Sequence, residues 1–149
     1  MENKYMKEAI ALAMESEKEG EVPVGAVIVK NGEIIATGRN RRETEKNALH
    51  HAEIEAIDNA CKTLGGWRLF GCDLYVTLEP CPMCAGAIIN SRIKTVYFGA
   101  YDNKAGSFGS VADFNHLPYN HKPEIIAGVM EEECSALLTD FFKKLRNKK

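Results

Sequence analysis

Two short motifs, His51-Ala52-Glu53 and Pro80-Cys81-Pro82-Met83-Cys84, constrain this chain more than anything else in it, because together they offer three zinc ligands and one spare carboxylate. A catalytic zinc keeps three protein ligands and leaves the fourth tetrahedral position to water, whereas a structural zinc is closed by four side chains. His51, Cys81 and Cys84 make up the three. Glu53 is not read as the fourth: zinc prefers thiolates and imidazole, and a carboxylate two residues from the ligand His is better used moving protons. The pattern is that of a hydrolytic metal site. Zinc takes bound water from a pKa near ~15.7 to about 7, and general acid–base help adds about a hundred- to ten-thousand-fold.

Other readings of the same residues are weaker. A lone C-x-x-C serves as a redox pair in a thioredoxin-like βαβ context, with no linked His-x-Glu. A structural zinc would need a fourth donor, for which Cys61, Cys72 and His50 are the candidates. Only His51 keeps the H-x-E spacing to Glu53, so His50 is read as a partly exposed neighbour.

At 149 residues the chain is expected to be one domain, residues 1–149, long enough to bury a core without disulfides. Hydrophobic and charged fractions of 45% and 27% are ordinary for a soluble globular protein. The start, Met1-Glu2-Asn3-Lys4-Tyr5, has no apolar h-region, and no segment approaches a membrane-spanning length, which places the protein in the cytoplasm and away from membranes. Five scattered cysteines do not form a disulfide framework, in keeping with a reducing compartment. The net charge of −2 argues weakly against a protein coated in nucleic acid. Local charge differs: Arg39, Arg41 and Arg42 surround Asn40, and the tail from about 143 to 149 carries Lys143, Lys144, Arg146, Lys148 and Lys149. That tail is either a solvated helix end that complements the helix dipole or a nucleic-acid contact.

Apolar residues at helical spacing predict a helix from Tyr5 to about Glu17, stopped by Gly20. Val24–Val29 and Ile34–Thr37 read as strands joined by a tight turn at Asn31-Gly32. A helix is expected from His51 to Leu64, a strand at Leu74–Leu78, and a helix at Cys81–Asn90 with Pro82 tolerated in its first turn. Strands at Thr95–Phe98 and Ile125–Val129 and a closing helix at Glu131–Leu145 complete the pattern. The order predicts an α/β fold with a five-stranded mixed sheet flanked by helices. Both motifs then sit at helix entrances, where sites form in such sheets. His51 and Glu53 must act from the end of their helix, and the positive end of the third helix favours thiolates at Cys81 and Cys84.

Beyond the two motifs, the segments Glu21-Val22-Pro23-Val24-Gly25-Ala26-Val27, Tyr75-Val76-Thr77-Leu78-Glu79-Pro80-Cys81, Met83-Cys84-Ala85-Gly86-Ala87, Ser91-Arg92-Ile93 and Glu133-Cys134-Ser135-Ala136-Leu137-Leu138 carry a further signal. With them the chain resembles the bacterial tRNA-specific adenosine deaminases from about Glu21 to Phe142. The resemblance implies the cytidine-deaminase-like three-layer sandwich, one zinc per subunit, a homodimer whose subunits both frame each tRNA site, and conversion of adenosine to inosine at the wobble position of the anticodon. It implies that Asn40 binds the purine, that Asn120 and His121 belong to a substrate-contacting loop, and that Phe141-Phe142 is the terminal aromatic pair, with Phe142 touching substrate. The anticodon stem-loop of tRNA is the implied partner. Deamination would use Glu53 twice: to carry a proton from water to the ring nitrogen and another to the leaving amine. Tyr101, where many relatives carry a basic residue, and Phe108, in place of a small one, depart from the family's pattern. The rival functions are a deaminase of a free base or nucleotide, of guanine or cytosine type, and a catalytically silent zinc module, against which Glu53 speaks.

Overall fold

The computed structural model describes residues 2–147; of the basic tail, Lys148 and Lys149 lie outside the described residues. Helix α1 (Lys4–Lys18) starts where the Asn3 side chain accepts the free N–H groups of Tyr5 and Met6, a side-chain cap of the kind helix starts favour. Strands β1 (Gly25–Lys30) and β2 (Glu33–Arg39) form the expected hairpin. Asn31 and Gly32 take φ of 53° and 78°, the left-handed pair that a two-residue turn between twisted strands requires. Then come α2 (Ala52–Leu64), β3 (Cys72–Leu78), α3 (Pro82–Ser91), β4 (Thr95–Ala100), a turn of 3₁₀ helix at Phe114–His116, β5 (Glu124–Ile126) and α4 (Glu131–Asn147).

The five strands form one mixed sheet in the order β2-β1-β3-β4-β5. β1 is antiparallel to β2 and β3, while β3, β4 and β5 run parallel. Alternate residues face opposite sides. Ala26, Ile28, Leu74, Val76, Val96 and Phe98 pack under α2 and α3 against Ala52, Ala56, Ala60, Ala85 and Ile88. Val27, Val29 and Tyr75 meet Met6 and Ala9 of α1 and Cys134 of α4 on the other side. The architecture is the expected α/β three-layer sandwich.

One strand differs from expectation. β5 was expected at Ile125–Val129 and spans Glu124–Ile126. Gly128 and Met130 have φ of 75° and 53°, so the chain turns off the ladder toward α4, although the Val129 N–H still donates to the Phe98 carbonyl at 3.0 Å.

Registers place Gly38, Ala26, Val76 and Phe98 at one level, which is the end of the sheet above which α2 and α3 begin. Gly38 is needed there, because a Cβ would collide with the Ala52 carbonyl oxygen and the Ala56 nitrogen. Its absence lets the first turn of α2 lie directly on β2. That contact sets where His51 and Glu53 stand.

Candidate active site

His51 is the N-cap residue of α2 and Cys81 that of α3. Neither side chain caps its own helix, so both point away from the helix axis and toward each other. Pro82 supplies the first helical position of α3, where its missing N–H costs nothing. Cys84, one turn in, returns to the same side.

A tetrahedral ion with Zn–S near 2.3 Å and Zn–N near 2.0–2.1 Å holds a sulfur and a nitrogen about 3.6 Å apart. His51 Nδ1 lies 3.6 Å from Cys81 Sγ and 3.7 Å from Cys84 Sγ. All three donor atoms lie within 4.8 Å of one another. The donor set, in chemistry and in spacing, fits zinc with one coordination position to spare. His50 turns the other way, its Nε2 3.7 Å from a Glu55 oxygen.

Glu53 is 4% exposed, and its carboxyl interacts with its own backbone N–H and the Cys84 thiol. Burial pushes its pKa up to about 7. The Cys84 thiol donates to Cys81, which with His51 alongside draws the Cys81 thiol down to about 4 despite burial. Cys84, the donor of that pair and itself buried, is pushed up. Cys81 is therefore the first thiolate of the two.

His51, Glu53 and Cys81 line a cavity of about 220 Å³ whose other walls include Val22, Val24, Asn40, Arg42, Leu78, Glu79, Asp102 and Ala105. That is below the roughly 300–1,000 Å³ of drug-sized pockets and suits one heterocycle. Asn40 is 8% exposed; its Nδ2 donates to the Val22 carbonyl and its Oδ1 accepts the Arg42 N–H. An amide has two N–H groups and two lone pairs, so one of each remains for a ligand.

The other residues singled out by sequence lie elsewhere. Asn120 lines a separate depression with Asn90, Arg92 and Tyr119. His121 donates from Nε2 to the Ile93 carbonyl at 2.6 Å. Phe142, on α4, lies with Lys104, Leu145 and Arg146. Within one chain the structure brings none of these three to the cavity. Nor do the three arginines act together: Glu19, the residue that ends α1, holds Arg39 at 2.6 Å and Glu55 of α2 holds Arg41 at 2.7 Å, leaving Arg42 as the one of the three that lines the cavity. Lys144 lies 3.6 Å from Glu17. The departures from the family pattern have structural places: Phe108 is buried in the core beneath α2 and α3, and Tyr101 stands edge-on to Phe98.

Two buried carboxylates that sequence reasoning left without a role shape this site. Glu79 carries part of the cavity wall. Glu21 accepts the N–H groups of Thr44 at 2.6 Å and Glu43 at 3.1 Å, which fixes the segment after Asn40. The available signal was an acidic residue at the border of an apolar run. Burial pushes the Glu21 carboxyl up, but the bonds from Thr44 and Glu43 outweigh it and hold its pKa below the ordinary value. A depressed carboxylate contributes stability that is present above its unfolded pKa, about 4.3, and lost as pH falls through the lower folded value. Glu21→Gln is therefore expected to be less stable than the wild type at pH 7 by roughly 1.5–3 kcal/mol. Denaturant unfolding at a series of pH values should show the gap closing below about pH 4; a gap independent of pH would contradict this account.

The fold and a His-Cys-Cys zinc site beside a buried carboxylate define a zinc-dependent deaminase. The chain belongs to the cytidine and deoxycytidylate deaminase family, whose zinc-binding region matches residues 1–100. Within that family it is 56% identical to the tRNA-specific adenosine deaminase of Bacillus subtilis over 146 residues, covering 97% of this chain and 91% of the relative. It is 46% identical to that of Haemophilus influenzae over 150 residues, covering 99% and 87%. A solved structure from studies of A-to-I editing by tRNA:A34 deaminases at the wobble position superposes with a TM-score of 0.88 at 43% identity, covering 91% of this chain and 99% of the other. The guanine deaminase of Bacillus subtilis superposes with a TM-score of 0.65 at 40% identity, covering 80% and 71%.

Proposed function

We propose that this protein deaminates adenosine to inosine at the wobble position of a tRNA anticodon. The observation that carries the reading is the small cavity lined by His51, Cys81 and Glu53, with Cys84 behind them completing the metal donors, in a chain similar over nearly its whole length to tRNA-specific adenosine deaminases. His51, Cys81 and Cys84 would hold zinc, which when bound supplies hydroxide at neutral pH. The protein's own residues do the rest. Asn40 has an N–H and a lone pair free to bind the base edge, and the apolar walls Val22, Val24 and Leu78 sandwich the ring and exclude water. Glu53, buried in the cavity, takes a proton from the attacking water and delivers it to the ring nitrogen, then takes the second from the hydroxyl added to the ring carbon and passes it to the amine, which leaves as ammonia while the carbonyl forms.

We further infer a homodimer working in the cytoplasm. Leu64, Trp67 and Phe70 expose apolar surface around the turn between α2 and β3, a patch that suits a partner subunit. Asn120, His121 and Phe142, remote from the cavity of their own chain, are proposed to meet the RNA outside the base pocket. Among the described residues no helix is long and apolar enough to cross a membrane.

A cavity sized for one base leaves the rest of the substrate to the surface around it. Remote contacts that position the reacting base are lost when the substrate is truncated. An anticodon stem-loop with adenosine at the wobble position should be deaminated with a kcat/KM at least about a hundredfold above free adenosine. The guanine deaminase likeness makes the free-base alternative concrete. Equal efficiency on adenosine or guanine and on the stem-loop would favour it.

A further inference from the structure

The cavity has two irregular walls, the segment after Asn40 and the segment from Tyr101 to Asp113; the second of these is built around a single side chain. Glu79 follows β3 and is 1% exposed. Its Oε1 accepts the Asp102 N–H at 3.1 Å and the Ser110 hydroxyl. Its Oε2 accepts the N–H groups of Phe108 and Ser110, each at 3.1 Å. The carboxylate therefore replaces the ladder that the segment lacks, gathering donors far along the chain onto one point. A buried carboxylate is tolerable only with such a set of donors, and the backbone N–H groups would be costly to bury without it.

The loop is shaped to reach it. A Cβ at Gly106 would collide with the Glu79 carboxyl and the Asp102 carbonyl, so the backbone can come this near the carboxylate only where there is no side chain. The Ser107 N–H donates to the Pro80 carbonyl at 2.9 Å, which ties the same loop to the residue that precedes Cys81. Folded in this way, the loop sets Asp102 and Ala105 into the cavity wall and holds Lys104 outside, beside Phe142 and Arg146. The metal-site residues and Glu53 stand instead at the entrances of α2 and α3.

We infer that Glu79 is a positioning residue: its carboxylate pins the 101–113 loop as the wall that orients the substrate base, through Asp102 and Ala105, against Glu53. The inference rests on the proposed function above. Displacing a positioning wall by about an ångström can cost on the order of a hundredfold in rate.

The test compares Glu79→Gln and Gly106→Ala with the wild type as zinc-loaded full-length protein. Gln keeps the shape but presents an N–H₂ group to donors; the added methyl at 106 strains the same contact with Glu79 intact. Both variants should keep their zinc, show accelerated amide hydrogen exchange at Asp102, Phe108 and Ser110, and bind a wobble-adenosine stem-loop about tenfold or more weakly, with kcat/KM down by about a hundredfold. Exchange unchanged from the wild type, or accelerated exchange with unaltered stem-loop affinity, overturns the inference. Should Glu79→Gln not fold, Gly106→Ala decides alone. A wild type that binds the stem-loop without forming inosine would remove the proposed function, while weaker binding by the variants would still support the role of Glu79.

Discussion

Replacing Glu53 by Gln is expected to cut turnover by at least about a thousandfold while leaving zinc bound. Gln has the size and the hydrogen-bonding reach of Glu, and the floor of the cavity stays packed. What disappears is the ability to accept the two protons of the attacking water, one after the other, and to deliver one to the ring nitrogen and the other to the leaving amine. Single proton transfers are typically worth about 10²–10⁴, and the reaction needs the group at both ends. Glu53 is not among the three donors that converge at the metal position, so zinc content should not change. Single-turnover inosine formation alongside metal analysis checks both halves. Near-normal turnover would remove Glu53 from the chemistry, and lost zinc would make it a ligand.

Removing a ligand gives the second large effect. Cys81→Ala leaves His51 and Cys84 as a two-donor site. Partners that merely orient metal ligands cost about 10–100-fold in affinity or activity when mutated, so loss of a ligand should exceed about a hundredfold. Activity should vanish with the metal. Bound zinc also stabilises the folded state, by about 4 kcal/mol at a thousand times Kd, because its donors come from two separate helix entrances that it ties together. The wild type should therefore lose thermal stability on treatment with a chelator, whereas Cys81→Ala should start near that lower value and not respond. Stoichiometric zinc in Cys81→Ala would contradict the assignment.

The parts of this site that were legible in sequence are those whose chemistry is local. His-x-Glu and Cys-x-x-Cys announce themselves by spacing, Pro82 marks the start of a helix, and Asn31-Gly32 marks a left-handed turn. The apolar runs Val24–Val29 and Leu74–Leu78 marked β1 and β3 as strands, and both are covered on both faces. The missed features depend on partners distant in the chain. Glu79 binds residues 23 to 31 positions away, and Glu21 binds residues 22 and 23 positions away, so no window of sequence shows their function. The same reason explains the arginines. Around Asn40 they look like a basic patch, but Glu19 and Glu55, brought up by two different helices, neutralise Arg39 and Arg41. β5 ended early because Gly128 and Met130 bend the backbone, a conformation that apolar residues at Ile125–Val129 did not signal.

The base proposed to be converted in this cavity is the wobble adenosine of a tRNA. The most direct measurement is to incubate the zinc-loaded protein with total tRNA and map inosine at every position by sequencing and nucleoside mass spectrometry. Inosine is expected only at anticodon wobble positions that carry adenosine, and none with Glu53→Gln. Unmodified tRNA together with rapid deamination of a free base by the same preparation would contradict it.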